Sequence, residues 1–166
     1  MLRSGTIGEI LLVREFKSLA ELKSAVGETL GVSPWMTVTQ DLIDRFADVT
    51  DDHQWIHVDP ARAARSPLGT TIAHGYLTLS LIPAMIRDLY SVAGVGSRLN
   101  YGSNRVRFPA PVPRDSRLRT HLKILSTEDG ANGAVRVTWE ATVELEGSAK
   151  PACIAEIATL LLPAAR

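Results

Sequence analysis

The chain has 166 residues, 45% hydrophobic and 22% charged, and its 18 basic side chains are balanced by 18 acidic ones. This length fits a single domain with one buried core, and the balanced charge offers no bulk field for nucleic acid or an anionic membrane. The lone Cys153 excludes an internal disulfide and a multi-cysteine metal framework; it fits a reducing compartment, which makes the cytoplasm the expected location.

At the amino terminus, Met1 to Phe16 mixes Arg3, Glu9, Arg14 and Glu15 with a short apolar piece, Ile10 to Val13. That piece is too short for a signal core or a membrane span, so no export signal is expected. Ser18-Leu19-Ala20-Glu21 has the form of a capping box, and Leu19, Leu22, Val26 and Leu30 then recur at helical spacing until Gly31. The pattern predicts a first helix over 19–30. Thr39 caps a second predicted helix over 40–49, with Val38 and Ile43 placed as a hydrophobic staple. A non-helical loop follows, and Asp59-Pro60 then reads as a cap with proline at the first helical position, opening a short helix over 61–65.

Residues 75–90 are apolar almost all round for three turns. The apolar tract is about half of what a bilayer crossing needs, so it reads as a buried core helix, locally bent at Pro83. A helix without a polar face has to be wrapped. Residues 98–108, 116–126, 133–146 and 151–162 supply the wrapper: they are rich in Val, Ile, Leu and Thr, partly alternating, and separated by Pro, Gly and Asp. The expected class is α+β, an antiparallel sheet curled around one long helix.

The stretch Thr50-Asp51-Asp52-His53-Gln54-Trp55-Ile56-His57-Val58-Asp59-Pro60 carries the chemistry. Asp52 and His57 share one loop pinned between two capped helices, so both side chains can be aimed into one cleft. A carboxylate and an imidazole sharing a water can take a proton from it and supply one to a neighbouring carbon, as hydration and dehydration require. The bland alternative is that Asp52 caps a turn while His57 fills a polar niche. Gly75, at the start of the apolar helix, has free backbone donors and a positive dipole beside it, suited to a carbonyl oxygen gaining charge; equally, a glycine there permits close packing.

Three other readings compete. His53 and His57 are four apart, with His74, Asp52 and Asp59 nearby, but a segment holding Trp55 and Pro60 does not read as one helix, so no metal is expected. Arg105 and Arg107 alternate on one sheet face, either solvated or meeting the phosphates of a carrier group. Cys153 lies in an alternating strand and reads as a small buried hydrophobe.

With Asp52, His57, Asp59-Pro60 and Ile72-Ala73-His74-Gly75 assembled, the chain resembles the MaoC-like, (R)-specific enoyl-CoA hydratase/dehydratase family of the hot dog fold. Asp-His-Gln-Trp-Ile-His-Val-Asp-Pro, Ala-His-Gly-Tyr-Leu-Thr-Leu-Ser-Leu and Arg107-Phe108-Pro109-Ala110-Pro111 are most similar to its nodulation-protein-N-like branch. The likeness covers about residues 16–162, implying an amino-terminal extension over 1–15 and a hot dog domain over 16–166. It implies that Asp52 and His57 form the catalytic pair, and that Gly75 offers its amide to the thioester oxygen, with Gln54 and Tyr76 as further oxyanion or substrate-binding residues. Gln54 and Trp55 stand where the general pattern Asp-x-Asn-Pro-x-His has Asn and Pro, a pair the branch shares. The implied reaction is hydration of a trans-2-enoyl thioester of coenzyme A or acyl carrier protein, without a cofactor, in a homodimer. A hot dog thioesterase and a non-catalytic acyl-thioester-binding subunit are the alternatives.

Overall fold

The elements of the computed structural model, which describes residues 13–164, begin with β1 (Arg14–Phe16), α1 (Leu19–Ser24), β2 (Thr29–Val32) and β3 (Met36–Val38). Helices α2 (Gln40–Thr50), α3 (Trp55–Val58), α4 (Pro60–Ala64) and α5 (Gly75–Ile86) follow. Strands β4 (Tyr90–Val92), β5 (Val95–Arg107), β6 (Ser116–Asp129), β7 (Val135–Leu145) and β8 (Cys153–Pro163) complete the chain. Residues 1–12, most of the expected extension, lie outside the described residues; Arg14 and Glu15 pair with Tyr90 and Ser91.

The main sheet runs β2-β6-β7-β8-β5, with β3 also on β6, and every pairing in it is antiparallel. Alternation sets its inner face: Leu118, Leu122 and Ile124 of β6 and Val137, Trp139, Ala141 and Val143 of β7 are all completely buried. Against them α5 sets Leu77, Ile82, Met85 and Ile86, and the Thr120 hydroxyl on β6 reaches the Met85 sulfur at 3.4 Å. This is the sheet around a long helix that the hot dog resemblance implied. No helix of the described residues is long and apolar enough to cross a membrane.

Two expected helices are shorter than their periodicity suggests. The first ends after Ser24: Gly27 turns the chain at φ 93°, and residues 29–32 join β6 as a strand. Leu30 is buried there through sheet pairing, so the same apolar spacing serves a turn and a strand. Gly31, expected to close the helix, lies at a register shift in β2. Helix α5 stops at Ile86 instead of residue 90, because Tyr90 enters β4 and packs its ring 4.7 Å from that of Trp139. The wrapping of α5 is also incomplete, since Tyr76, Ser80, Pro83 and Ala84 are exposed along one side.

Helix α2 matches its local signals. The Thr39 hydroxyl accepts from Leu42 N at 3.2 Å, and Val38 and Ile43, the staple pair, are both fully buried. At α1 the Ser18 hydroxyl accepts from Glu21 N at 3.1 Å, but the Glu21 carboxylate reaches Lys17 N, one residue earlier than a capping box requires.

Candidate active site

Helix α2 ends at a residue in the left-handed conformation, Asp51 at φ 57°, ψ 23°. Only a short polar side chain or glycine sits there cheaply, and the turn swings the chain away from the helix axis. Asp51 itself ends fully exposed, whereas Asp52 is the carboxylate next to the histidines. The following loop is not helical as far as Gln54, after which α3 makes a single turn that the sequence reading took as loop. That turn carries His57 inward to 7% exposure.

Two bonds stitch α3 to the segment before α5. Ile72 N donates to Ile56 O at 3.0 Å, and His57 Nδ1 lies 2.6 Å from Ile72 O. A carbonyl only accepts, so Nδ1 carries the proton and Nε2 keeps its lone pair. The segment is held from its other side by Ala73 N to Val112 O at 2.8 Å and Arg114 N to Thr71 O at 2.9 Å.

A carboxylate oxygen of Asp52 and one ring nitrogen each of His57 and His74 lie within 4.8 Å of one another. Such a spacing accommodates one water bonded to both the carboxylate and the His57 ring. Burial is the main influence on His57 and pushes its pKa down; the neighbouring His74 acts the same way, while the bond to Ile72 O and the charge of Asp52 oppose it. The ring is therefore a neutral acceptor near neutral pH.

The sequence reading considered His74 only as a metal ligand or motif residue. Its ring stacks beneath that of His57, centroids 3.7 Å apart and planes 25° apart, and Phe46 closes its other surroundings at 5.1 Å. Its Nε2 donates to Asp52 O at 2.9 Å, so one buried ring braces both members of the pair. The remaining nitrogen, Nδ1, is buried without a hydrogen-bond partner. Stacked rings direct their in-plane lone pairs along nearly parallel planes, poorly disposed to meet at one tetrahedral ion. The other metal candidates point elsewhere: His53 pairs with Asp48 at 3.0 Å, and the Asp59 carboxylate caps α4 through Arg62 N at 2.9 Å.

Gly75 opens α5. The first ladder bond of the helix is Thr78 N to His74 O, and the His74 side chain makes no capping bond. The amides of Gly75, Tyr76 and Leu77 precede that ladder and are the donors a helix start offers to an anionic oxygen. A Cβ on Gly75 would sit 2.9 Å from the Phe108 ring. The glycine thus has a packing reason, and its free amide leaves room for the chemical reading beside it. Tyr76, 70% exposed, meets the same Phe108 ring edge-on at 6.0 Å, while Gln54 is exposed. Phe108 was missed as a neighbour of Gly75 because local spacing does not report a contact across 33 residues; the Arg-Phe-Pro motif was its only trace.

Cys153 is completely buried, and burial pushes its thiol up to about 11, which suits packing and not nucleophilic attack. Arg105 and Arg107 are both exposed on β5.

Comparison with known proteins identifies the family. The family profile described as "MaoC like domain" matches residues 21–145. The chain belongs to the MaoC-like family. Among its MaoC-like relatives, 3-hydroxyacyl-thioester dehydratase Z of Mycobacterium tuberculosis is 56% identical over 144 residues, covering 87% of this chain and 95% of that protein. Nodulation protein N of Rhizobium leguminosarum bv. viciae is 45% identical over 146 residues, covering 87% and 91%, which puts the chain in the nodulation-protein-N-like branch. The MaoC-like fold extends to a monoamine oxidase regulatory protein from Archaeoglobus fulgius, with TM-score 0.73, 24% identity, and 93% and 99% of the two chains covered.

Two outcomes follow from the local geometry. In an NMR titration, His57 takes up its proton at a pH below that of an ordinary imidazole, reflecting its burial. Gly75→Ala destabilises the protein by about 1–3 kcal/mol in chemical denaturation, because the Phe108 ring must move. Adding Gly75→Ala to Phe108→Ala costs clearly less than adding it to the wild type; equal costs would show that the ring contact is not what restricts this position.

Proposed function

We propose that the chain is an (R)-specific enoyl-CoA hydratase/(3R)-hydroxyacyl-thioester dehydratase, a hydro-lyase adding water reversibly across the C2–C3 double bond of a trans-2-enoyl thioester. The observation that carries this reading is the Asp52 carboxylate within 4.8 Å of a His57 ring nitrogen, beside the open amides of α5. The name of the 56%-identical relative supports it.

In the hydration direction, the thioester oxygen lies at the Gly75 amide, which draws charge from C3 and makes it electrophilic. Asp52 accepts one hydrogen bond from the water and fixes its lone pair towards C3. The neutral His57 Nε2 accepts the other proton as the C3–O bond forms and the C2–C3 π electrons pass to the thioester oxygen as an enolate. The imidazolium then delivers that proton to C2, restoring the carbonyl and the neutral ring. Water is the only co-reactant, so the sequence of steps uses no cofactor. Gln54 and Tyr76, at the two sides of the loop and helix start, belong to the proposed acyl-thioester contacts. Coenzyme A is the proposed carrier, with acyl carrier protein the other form of the same thioester, and the domain doing this work is residues 16–166. The buried lone thiol fits the cytoplasm as its setting.

The working form is a homodimer in this proposal. Among the described residues, strand β5 pairs on one side only, with β8, and it is exposed over nearly its whole length, including Leu99 and Tyr101. Next to it, two contiguous cavities of about 300 and 440 Å³ run between α5 and the β5–β8 edge, sharing Pro83, Asn100 and Ile157. A long open edge beside an apolar trough is a surface that a second copy covers.

With crotonyl-CoA, Asp52→Asn and His57→Ala each lower kcat by at least about 100-fold while the far-ultraviolet spectrum stays native, since proton handling and not packing is removed. Most of the wild-type turnover surviving in either variant would refute the pair; release of free thiol without enoyl loss would indicate a thioesterase, and binding without turnover a non-catalytic subunit. Light scattering on the purified protein gives twice the 18.0 kDa chain mass, and Leu99→Arg shifts it towards the single chain; a monomeric wild type would refute the dimer.

A further inference from the structure

Gln40, the first residue of α2, makes contacts at the back of the site that neither the motif nor the proposed chemistry accounts for. Its Nε2 donates to His57 O at 2.8 Å and to Asp44 Oδ1 at 2.7 Å, and its Oε1 accepts from the hydroxyl of Thr71, a completely buried residue. The orientation of the amide is fixed by its partners. A carbonyl and a carboxylate can only accept, so the nitrogen must face them and the oxygen must face Thr71.

Two of those partners, His57 O and the Thr71 hydroxyl, belong to the two segments that meet at the site. His57 O belongs to the last turn of α3, where helix carbonyls lack a ladder partner, and Gln40 supplies one. Thr71 immediately precedes Ile72, whose carbonyl receives the His57 Nδ1 proton. One side chain therefore ties together the residue that offers the ring and the residue beside the carbonyl that selects its tautomer. Its own base is firm, because the start of α2 is held by the Thr39 cap and the buried Val38 and Ile43.

We propose that Gln40 is a positioning residue for His57: its amide clamps the His57 carbonyl to the Thr71 hydroxyl and so keeps the ring on Ile72 O in the Nδ1–H tautomer. The tautomer matters because an imidazole free in water favours a proton on Nε2, and that form has no lone pair where the site needs one. The consequence for rate rests on the hydratase reading above; the consequence for the ring does not.

The experiment has two readouts. In Gln40→Met, which keeps the length but removes all three bonds, kcat for crotonyl-CoA falls about 10- to 100-fold while KM stays within about twofold, as expected for a misplaced base. Nitrogen NMR of the same protein shows His57 passing from a single Nδ1–H form in the wild type to a mixture with Nε2–H. The isosteric Gln40→Glu is the second variant. One of its oxygens accepts from Thr71 as before, while the other faces two acceptors and can donate only when protonated. The two facing acceptors push the introduced carboxyl above its ordinary range, so the variant's kcat relative to wild type falls as the pH rises through that titration. A Gln40→Met protein with wild-type kcat and an unchanged His57 tautomer overturns the clamp, as does a flat pH ratio for Gln40→Glu. A wild type inactive on enoyl thioesters overturns the hydratase reading alone, and the NMR result still decides the clamp.

Discussion

The hydrogen bond from His57 Nδ1 to Ile72 O, 2.6 Å long and spanning fifteen residues, is the contact on which the rest of the site depends. It fixes three things at once: the direction of the ring, the nitrogen that keeps its lone pair, and the distance between α3 and the segment that becomes α5. Burial at this point would be costly for a charged ring, and the pKa of His57 is accordingly pushed down. The ring is held neutral by its surroundings and oriented by a group that cannot titrate. Asp52 contributes the opposite condition, an exposed carboxylate close to the buried ring.

The fold supplies the rigidity this contact needs. The inner face of β6 and β7 fixes α5 through fully buried side chains, and the chain entering α5 is tied to Val112 and Arg114 by backbone bonds. On the other side, the left-handed residue Asp51 ends α2 early enough for the loop to turn back over the helix start. His74 lies between these two halves, stacked on one partner and bonded to the backbone of the other. The stack leaves the two rings face to face in nearly parallel planes, an arrangement poorly suited to sharing one ion.

The sequence carried much of this in local signals. Thr39, Val38 and Ile43 announced α2, and the four late β-rich runs became the four long strands, because caps and alternation act over a few residues. The closeness of Asp52 and His57 was legible for the same reason, since five residues separate them, although His57 sits on the turn α3 and not in the loop that was expected. Where reading failed, contacts distant in sequence decided. Residues 29–32 are a strand because β6 is there to pair with, and Tyr90 leaves its helix for a place against Trp139. The bracing roles of His74 and Phe108 were hidden likewise: stacking and the approach to Gly75 exist only once the chain has closed on itself.

Strand β5 ends at Arg107, and the next residue is the phenylalanine whose ring packs on Gly75. The ring against the first turn of α5 is thus mounted at the rim of the sheet, one peptide beyond a strand that, among the described residues, is paired along a single flank. Its position is inherited from however that rim is held. Anchoring the outer flank would stiffen the ring's seat on the first turn of α5 without touching Asp52 or His57, so whatever holds this rim bears on the helix start mechanically and not through its charges.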